Sequence, residues 1–266
     1  MSSFLLQNDP GTLDFETAIV KDLLQKEKYT HNFQEISLNQ LKEKVNNEIL
    51  EKTMIPIGTI EFVSSYIKYA YEVENENPLE IPEYLRTEEF LKRKYDILTY
   101  DKLPKHGRWF VKDVSQLKKF GMALDTTYQL PDEVFEAPKN EFDTSLRLDK
   151  DHLYQVSEVF NIQSEYRVYV INNKIQSISH YNGDPTVLPD VNLIQKAVML
   201  IEFKEKWLKS YTIDVMVGPK GTAIIEIHNF TSVGLYSTLW GTNLLHAYRD
   251  GIEYLKNDNR EIQISK

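Results

Sequence analysis

Two acidic side chains on neighbouring strand-like segments are spaced so that they could bind a metal ion. The segments Thr212–Val217 and Ala223–His228 each alternate apolar and polar residues, which is typical of a β-strand with two different faces. Between them, Gly218-Pro219-Lys220-Gly221 favours a hairpin turn, because Pro presets φ and Gly accepts a left-handed φ. The first segment carries Asp214 and the second carries Glu226, so a hairpin would bring two carboxylates together.

The length of the turn decides whether these carboxylates meet. With residues 219–221 as a three-residue loop, Asp214 lies directly opposite Glu226 and Thr212 lies opposite His228. The other face of the hairpin is then wholly apolar, whereas a two- or four-residue loop would mix polar and apolar side chains on both faces. We therefore expect the three-residue loop. The apolar face predicted in this way consists of Ile213, Val215, Val217, Ala223, Ile225 and Ile227.

Two facing carboxylates are unstable without a neutralising partner. At a cross-strand Cβ separation of about 5 Å they repel one another unless a cation or a shared proton lies between them. Mg²⁺ or Mn²⁺ suits this site better than zinc does, since the sequence offers oxygen ligands, the single imidazole of His228 and no thiolate. The alternative is a solvated sheet face with scattered acids, which is the commoner environment of Asp and Glu.

Composition limits the classes of protein and partner. With 41% hydrophobic and 27% charged residues, the 266-residue chain is typical of a globular protein with one large domain or two smaller ones. An excess of 40 acidic over 31 basic residues gives a net charge of −9, which disfavours general attraction to nucleic acid or to an anionic membrane. The lack of cysteine excludes disulfides, thiolate nucleophiles and cysteine-bound metals. We expect a cytoplasmic protein, because neither a signal peptide nor a membrane-spanning run is evident.

The amino-terminal part of the chain alternates strand-like and helix-like segments. This order predicts a small parallel α/β layer, because parallel strands need crossover helices between them. The following run, Glu72–Pro82, is acidic and has few apolar residues, so we place a domain boundary there. The predicted domains are residues 1–79 and 80–266, the second with subdomains 80–156 and 157–266. The predicted strands are residues 4–7, 31–36 and 53–57, and the predicted helices are residues 12–26, 38–50 and 60–71.

Basic side chains that could clamp a phosphate lie on two other segments. Residues 108–112 form a predicted strand that ends in Lys112, and Lys118 follows in a short basic segment. Asn172-Asn173 is a predicted two-residue turn, since Asn tolerates positive φ, and the strand before it carries Arg167. Solvated surface charge explains the two lysines equally well.

Pairing around this second turn predicts which side chains share a face with Arg167. It places Glu165, Arg167 and His180 on one face, with His180 opposite Glu165. A structural salt bridge between Arg167 and Glu165 is an adequate explanation of that pair. The remaining predictions are helices at residues 191–208 and 239–256, an irregular segment at 124–147 and a frayed tail at 257–266.

The order of these elements resembles that of the ATP-grasp superfamily. It runs from a strand with Lys112 through the strand segment 157–160, the hairpin segment 165–170 and a helix to a strand with Asp214 and the run 226–236. The resemblance covers roughly residues 80–256 and is greatest to a divergent branch with phage and bacterial members of unassigned substrate. It implies an α/β (α+β) protein with an ATP-grasp fold that follows a small amino-terminal parallel α/β domain.

The same resemblance implies roles in binding ATP. Lys112 would contact the α- and β-phosphates, and Arg167 would face the γ-phosphate or an acyl-phosphate, so both are candidate catalytic residues. The segment 157–160 would hold adenine through its backbone. The other candidate nucleotide-binding residues are Lys118, Glu158, Val159, Phe160 and Glu165.

The resemblance also implies that Asp214 and Glu226 hold Mg²⁺, or Mn²⁺ in its place. Most ATP-grasp enzymes have Asn two residues after this Glu, whereas this chain has His228 followed by Asn229. Both residues are therefore candidate ligands. Because imidazole titrates near neutrality, a metal site that includes His228 would be sensitive to pH.

The activity implied by the resemblance is ATP-dependent ligation of a carboxylate to an amine through an acyl-phosphate. The unidentified substrates would be proteins, peptides or amino-acid-like molecules. Separated Lys, Arg and acidic residues suit this chemistry, since metal ions and cationic side chains stabilise the charge on a transferred phosphoryl group. Two alternatives are a phosphotransferase that uses the same phosphate clamp and a non-catalytic, ATP-gated binding protein.

Overall fold

The computed structural model describes residues 2–9, 14–26, 31–73, 80–114, 121–125, 151–231, 233–236, 241 and 243–264. Only the backbone is described for residues 14, 121–125 and 258–264. Within these residues, no helix is both long enough and apolar enough to cross a membrane.

The amino-terminal layer is a three-stranded parallel sheet with its helices, as predicted. Strand β1 lies in the centre and pairs with β2 and β3, both parallel. Ser37 begins the second helix with a capping box, in which its hydroxyl accepts from the backbone of Gln40 and the Gln40 side chain accepts from Ser37. The elements are β1 (Ser2–Gln7), α1 (Asp14–Lys26), β2 (His31–Ile36), α2 (Leu38–Asn46), β3 (Ile55–Ile57) and α3 (Ile60–Tyr71).

A second, antiparallel sheet carries the segment with Lys112. Its strand order is β4-β7-β5-β6, and β5 lies between β7 and β6. Strand β4 was not predicted, because its sequence YDILT lacks the strict alternation of a half-buried strand. The elements are the short helix α4 (Glu88–Leu91), then β4 (Tyr95–Thr99), β5 (Arg108–Asp113), β6 (Gly121–Asp125) and β7 (Leu153–Glu158).

A third sheet, also antiparallel, carries the two predicted hairpins in the order β11-β10-β8-β9. The Asn172-Asn173 turn is confirmed, with φ of 51° and 59° and Ile171 paired with Lys174. Helix α6 continues to Ile264, where the sequence predicted a frayed tail from residue 257. The elements are β8 (Ser164–Ile171), β9 (Lys174–Gly183), α5 (Val191–Lys204), β10 (Tyr211–Gly218), β11 (Gly221–Asn229) and α6 (Asn243–Ile264).

The predicted partner of His180 is wrong because the β8–β9 ladder is irregular. Its register shifts twice, and each shift leaves one extra residue in β9. As a result His180 lies opposite Tyr166, with their ring centroids 5.2 Å apart, and Ser179 lies opposite Arg167. His180 is therefore on the other face of the sheet from Arg167.

The β10–β11 hairpin confirms the predicted carboxylate pair but not the predicted loop. Gly218 pairs with Gly221, so the loop has two residues rather than three. A β-bulge follows, because Val215 pairs with Ile224 while Asp214 pairs with Glu226, which leaves Ile225 as the extra residue. A short loop and a bulge thus give the same facing carboxylates as the longer loop would.

Two large apolar clusters support the third sheet from opposite sides. One face packs on α5, where Ile194, Val198 and Ile201 join Val168 and Ile213 in one buried cluster. A second buried cluster joins the amino-terminal layer to α6 and contains Phe4, Leu6, Tyr169, Leu244 and Tyr248. The polar residues of β8, β10 and β11 lie between these two supports.

Candidate active site

Three potential metal ligands converge on the polar face of the β10–β11 hairpin. Asp214, Glu226 and His228 each offer one ligand atom, and these atoms lie within 4.8 Å of one another. Asp214 and Glu226 face each other across the ladder, and His228 follows Glu226 on the same face because side chains alternate along a strand. Two carboxylates and one imidazole at this spacing could hold a cation that prefers oxygen ligands.

Arg167 neutralises the first carboxylate. It lies opposite Asp214 in the β8–β10 ladder, and its Nε and Nη2 each donate to one Asp214 oxygen at 2.7 Å. Both side chains are buried, with 12% and 3% of their surfaces exposed, so water screens this bidentate pair little. The predicted pair of Arg167 with Glu165 is wrong. Glu165 instead accepts hydrogen bonds from Tyr181 at 2.8 Å and Asn182 at 2.7 Å.

Lys112 neutralises the second carboxylate from a different sheet. Its ammonium on β5 forms an ion pair with one oxygen of Glu226 on β11. The other Glu226 oxygen lies 2.7 Å from Nε2 of His228. The second and third sheets therefore meet at this residue. The repulsion that the sequence predicts between Asp214 and Glu226 is relieved by one internal cation for each carboxylate.

These contacts change the acidity of the groups that form them. Burial alone would raise the pKa of Glu226, but the hydrogen bond and charge of His228 and the ammonium of Lys112 outweigh it and hold the pKa well below its usual range. Burial disfavours the charge of Arg167, but its hydrogen bonds to Asp214 and the carboxylate charge more than offset this and raise its pKa. Both ion pairs are therefore charged at neutral pH.

An aromatic wall lies beside Arg167 and was not predicted. The rings of Tyr181 and Tyr236 stack with centroids 5.1 Å apart, and the guanidinium carbon of Arg167 lies 5.0 Å from the Tyr236 centroid. The hydroxyl of Tyr169 donates to the carbonyl of Gly234 at 2.8 Å and accepts from the backbone N–H of Tyr236 at 2.7 Å. Tyr169 shares a face with Arg167 two residues earlier, which the alternation of β8 already indicates. No local sequence pattern singles out Tyr236.

The segment predicted to hold adenine connects the second sheet to the third. Glu158 ends β7, and its backbone N–H donates to Lys94 at 3.2 Å while its carboxylate accepts from the Lys94 N–H at 3.3 Å. Val159 is exposed. A Cβ added to Gly218 would lie 2.4 Å from the ring of Phe160, so glycine permits this segment to pass close to the hairpin.

Two predicted site residues do not join the cluster. Asn229 follows His228 and so lies on the reverse face, where its amide oxygen accepts from the hydroxyl of Thr231 at 2.9 Å. Lys118 lies outside the described residues.

Comparison with known protein families matches residues 90–240, which include the ion pairs and the metal-ligand cluster. The matching family is described as an ATP-grasp domain, the second family of one clade within that superfamily. The chain belongs to this family. The ATP-grasp resemblance seen in the sequence and the predicted divergent branch are both confirmed.

Solved ATP-grasp structures share the fold. A D-alanine–D-alanine ligase from Bacillus anthracis, complexed with ATP, matches with a TM-score of 0.51 and 15% identity over 97% of this chain and 99% of that chain. The D-cycloserine synthetase DcsG matches with a TM-score of 0.53 and 9% identity over 96% and 100% of the two chains. An N5-carboxyaminoimidazole synthetase from Staphylococcus aureus matches with a TM-score of 0.53 and 9% identity over 95% and 77%. At these identities the likeness shows the fold alone. The comparison with curated proteins found no match.

Proposed function

We propose that the protein is an ATP-dependent ligase that joins a carboxylate to an amine through an acyl-phosphate. Its ATP-grasp family supports the use of ATP. The observation that supports the chemistry is the meeting of two cations, Lys112 and Arg167, with two carboxylates, Asp214 and Glu226, where the second and third sheets join. Such a group can bind a triphosphate with its metal and stabilise the charge of a phosphoryl transfer.

The cluster on the hairpin fits a divalent cation. Asp214, Glu226 and His228 would hold Mg²⁺ or Mn²⁺, since carboxylate oxygens predominate and their ligand atoms lie within 4.8 Å of one another. When bound, the metal would supply positive charge to the phosphate oxygens.

The internal cations of the site would change partners when ATP binds. Lys112 now neutralises Glu226, and Arg167 now neutralises Asp214. Phosphate oxygens are alternative anionic partners for both side chains. In the proposed complex Lys112 binds the α- and β-phosphates, and Arg167 faces the γ-phosphate or the acyl-phosphate. The backbone of residues 158–160 would hold adenine, and Glu165 would lie at the edge of the nucleotide site.

The proposed substrates are a carboxylate and an amine of the amino-acid, peptide or protein class. The test is to incubate the protein with Mg-ATP, hydroxylamine and pools of amino acids or short peptides, because hydroxylamine captures an acyl-phosphate as a stable hydroxamate. ADP, phosphate and a hydroxamate that depend on one pool would support the ligase. A stable phosphoester would support a phosphotransferase instead. Nucleotide binding without turnover on any pool, or on host proteins followed by intact mass, would support a binding protein.

A further inference from the structure

Arg93 is a buried cation outside the site that the proposed chemistry does not use. Only 7% of its surface is exposed, and in the described part of the chain it forms no ion pair. Burial lowers its pKa to about 10. Its Nη1 donates to two backbone carbonyls, that of Leu91 at 3.0 Å and that of Ile224 at 2.9 Å. A buried guanidinium is costly, so its contacts are expected to matter for the structure.

The Ile224 carbonyl belongs to the β-bulge of β11. Strand β11 forms the edge of the third sheet in the described structure, and Ile224 directly precedes the extra residue Ile225. A second contact joins the same two segments, since Nζ of Lys220 donates to the carbonyl of Lys92 at 3.2 Å. The segment with Arg93 is thus attached to the hairpin on both sides of residues 221–223.

The bulge determines where Glu226 points. Before it, Val215 pairs with Ile224, and after it Asp214 pairs with Glu226. A regular ladder continued from the first pair would put Ile225 opposite Asp214. Glu226 would then lie on the apolar face, because a shift of one residue reverses every side chain of a strand. The metal-ligand cluster therefore depends on the extra residue staying in place.

We infer that Arg93 is a positioning residue for the metal ligand Glu226, which it acts on by holding the bulge at Ile225. The inference rests on the proposed function, in which Glu226 binds the metal. Arg93 is too far along the chain from Glu226 for any sequence pattern to connect them, and its link to the site is a single hydrogen bond to the backbone.

The test compares Arg93→Met with Arg86→Met. Arg86 is a matched control, because its Nε also donates to a backbone carbonyl, that of Ile81 at 2.6 Å, on the same side of α4 but away from β11. Binding of Mn²⁺ to the complex with ADP should weaken about tenfold in Arg93→Met, the lower end of the effect of removing an outer-shell partner of a metal ligand. Affinity for ADP without metal should change less than about twofold. Arg86→Met should change neither affinity.

Deletion of Ile225 gives a rescue that a merely structural role would not. Without this residue Glu226 follows Ile224 directly, and a regular ladder places it opposite Asp214. In that background Arg93→Met should no longer weaken Mn²⁺ binding. Arg93→Lys keeps the charge and loses the guanidinium geometry, so it should give a smaller loss in the same direction if Arg93→Met does not fold.

Several results would overturn the inference. They are unchanged Mn²⁺ affinity in the Arg93 variants, an equal loss of metal-free ADP affinity, and a loss that deletion of Ile225 does not correct. Failure of the wild-type protein to bind ADP with Mn²⁺ would instead contradict the proposed function. Hydrogen exchange would still decide about Arg93 in that case. Amides of residues 223–226 should exchange faster in Arg93→Met than in Arg86→Met, and equal exchange would refute the role of Arg93.

Discussion

Replacing Lys112 by Met should make the nucleotide-free protein a better metal binder. In the wild-type structure the ammonium of Lys112 occupies one oxygen of Glu226, and Arg167 occupies both oxygens of Asp214. The four charges cancel, so a divalent cation gains little by entering. Met has a similar length and no charge, and its introduction would leave Glu226 with an oxygen available.

The size of the effect follows from the spacing of the groups. Ligand atoms within 4.8 Å of one another would place a bound ion about 5 Å from the Lys112 ammonium. Repulsion between one and two elementary charges at about 5 Å amounts to about 1.7 kcal/mol in bulk water and about 7 kcal/mol at an effective dielectric constant of 20. The lower figure already corresponds to more than about tenfold in affinity. We expect at least that gain for Mn²⁺ without nucleotide.

Electron paramagnetic resonance of free Mn²⁺ measures this affinity directly. Lys220→Met is the matched control, because it changes the net charge equally at an exposed turn position. Lys112→Arg, which keeps a cation beside Glu226, should stay as weak as the wild type. In the same Lys112→Met protein, ADP affinity should fall, since a phosphate partner has been lost.

Equal Mn²⁺ affinity of the wild type and Lys112→Met without nucleotide would refute this account. It would mean that Lys112 leaves Glu226 at no cost, or that the metal binds elsewhere. A gain of the same size in Lys220→Met would point to net charge rather than to the ion pair.

The remaining predictions concern the two carboxylates and the nucleotide. Asp214→Asn should lower the free energy of unfolding by about 3 kcal/mol in urea titrations, because Arg167 would keep a buried, unpaired charge, while the exposed control Asp101→Asn should change little; equal values would mean that the pair contributes nothing. Because the folded-state pKa of Glu226 lies below its ordinary 4.5, its contribution to stability is present above pH 4.5 and is lost as the pH falls below it. Glu226→Gln should flatten that acid decline, and an unchanged decline would exclude Glu226 as its source. ATP should raise Tm with Mg²⁺ or Mn²⁺ and far less with a chelator, and equal stabilisation in chelator would count against the metal site.

The sequence was informative where one face of a strand is buried and the other is polar. The pairing of Asp214 with Glu226 was predicted correctly because a shift of one residue would have put Glu226 into the apolar core. The same reasoning could not locate the extra residue. A third loop residue and a bulge at Ile225 each supply one residue, and both satisfy the alternation.

Contacts between distant strands were the part that sequence reasoning could not supply. Arg167 was assigned to Glu165 because both lie in one strand, but β8 also neighbours β10, and a long guanidinium side chain reaches Asp214 there. The ion pair between Lys112 and Glu226 joins two sheets, so its existence depends on how the sheets meet. The ordered set of elements nevertheless identified the superfamily.

The cluster that joins β1 to α6 affects how the chain can fold during synthesis. Phe4 and Leu6 lie in one strand at the start of the chain, and Leu244 and Tyr248, which cover them, lie in the last helix. A ribosome completes β1 roughly 240 residues before α6, which takes roughly 12 to 48 s at ordinary rates of elongation. During that interval the apolar face of the first layer lacks its cover and is open to chaperones or to other chains. Fragments that end before α6 would keep this face uncovered and are expected to aggregate.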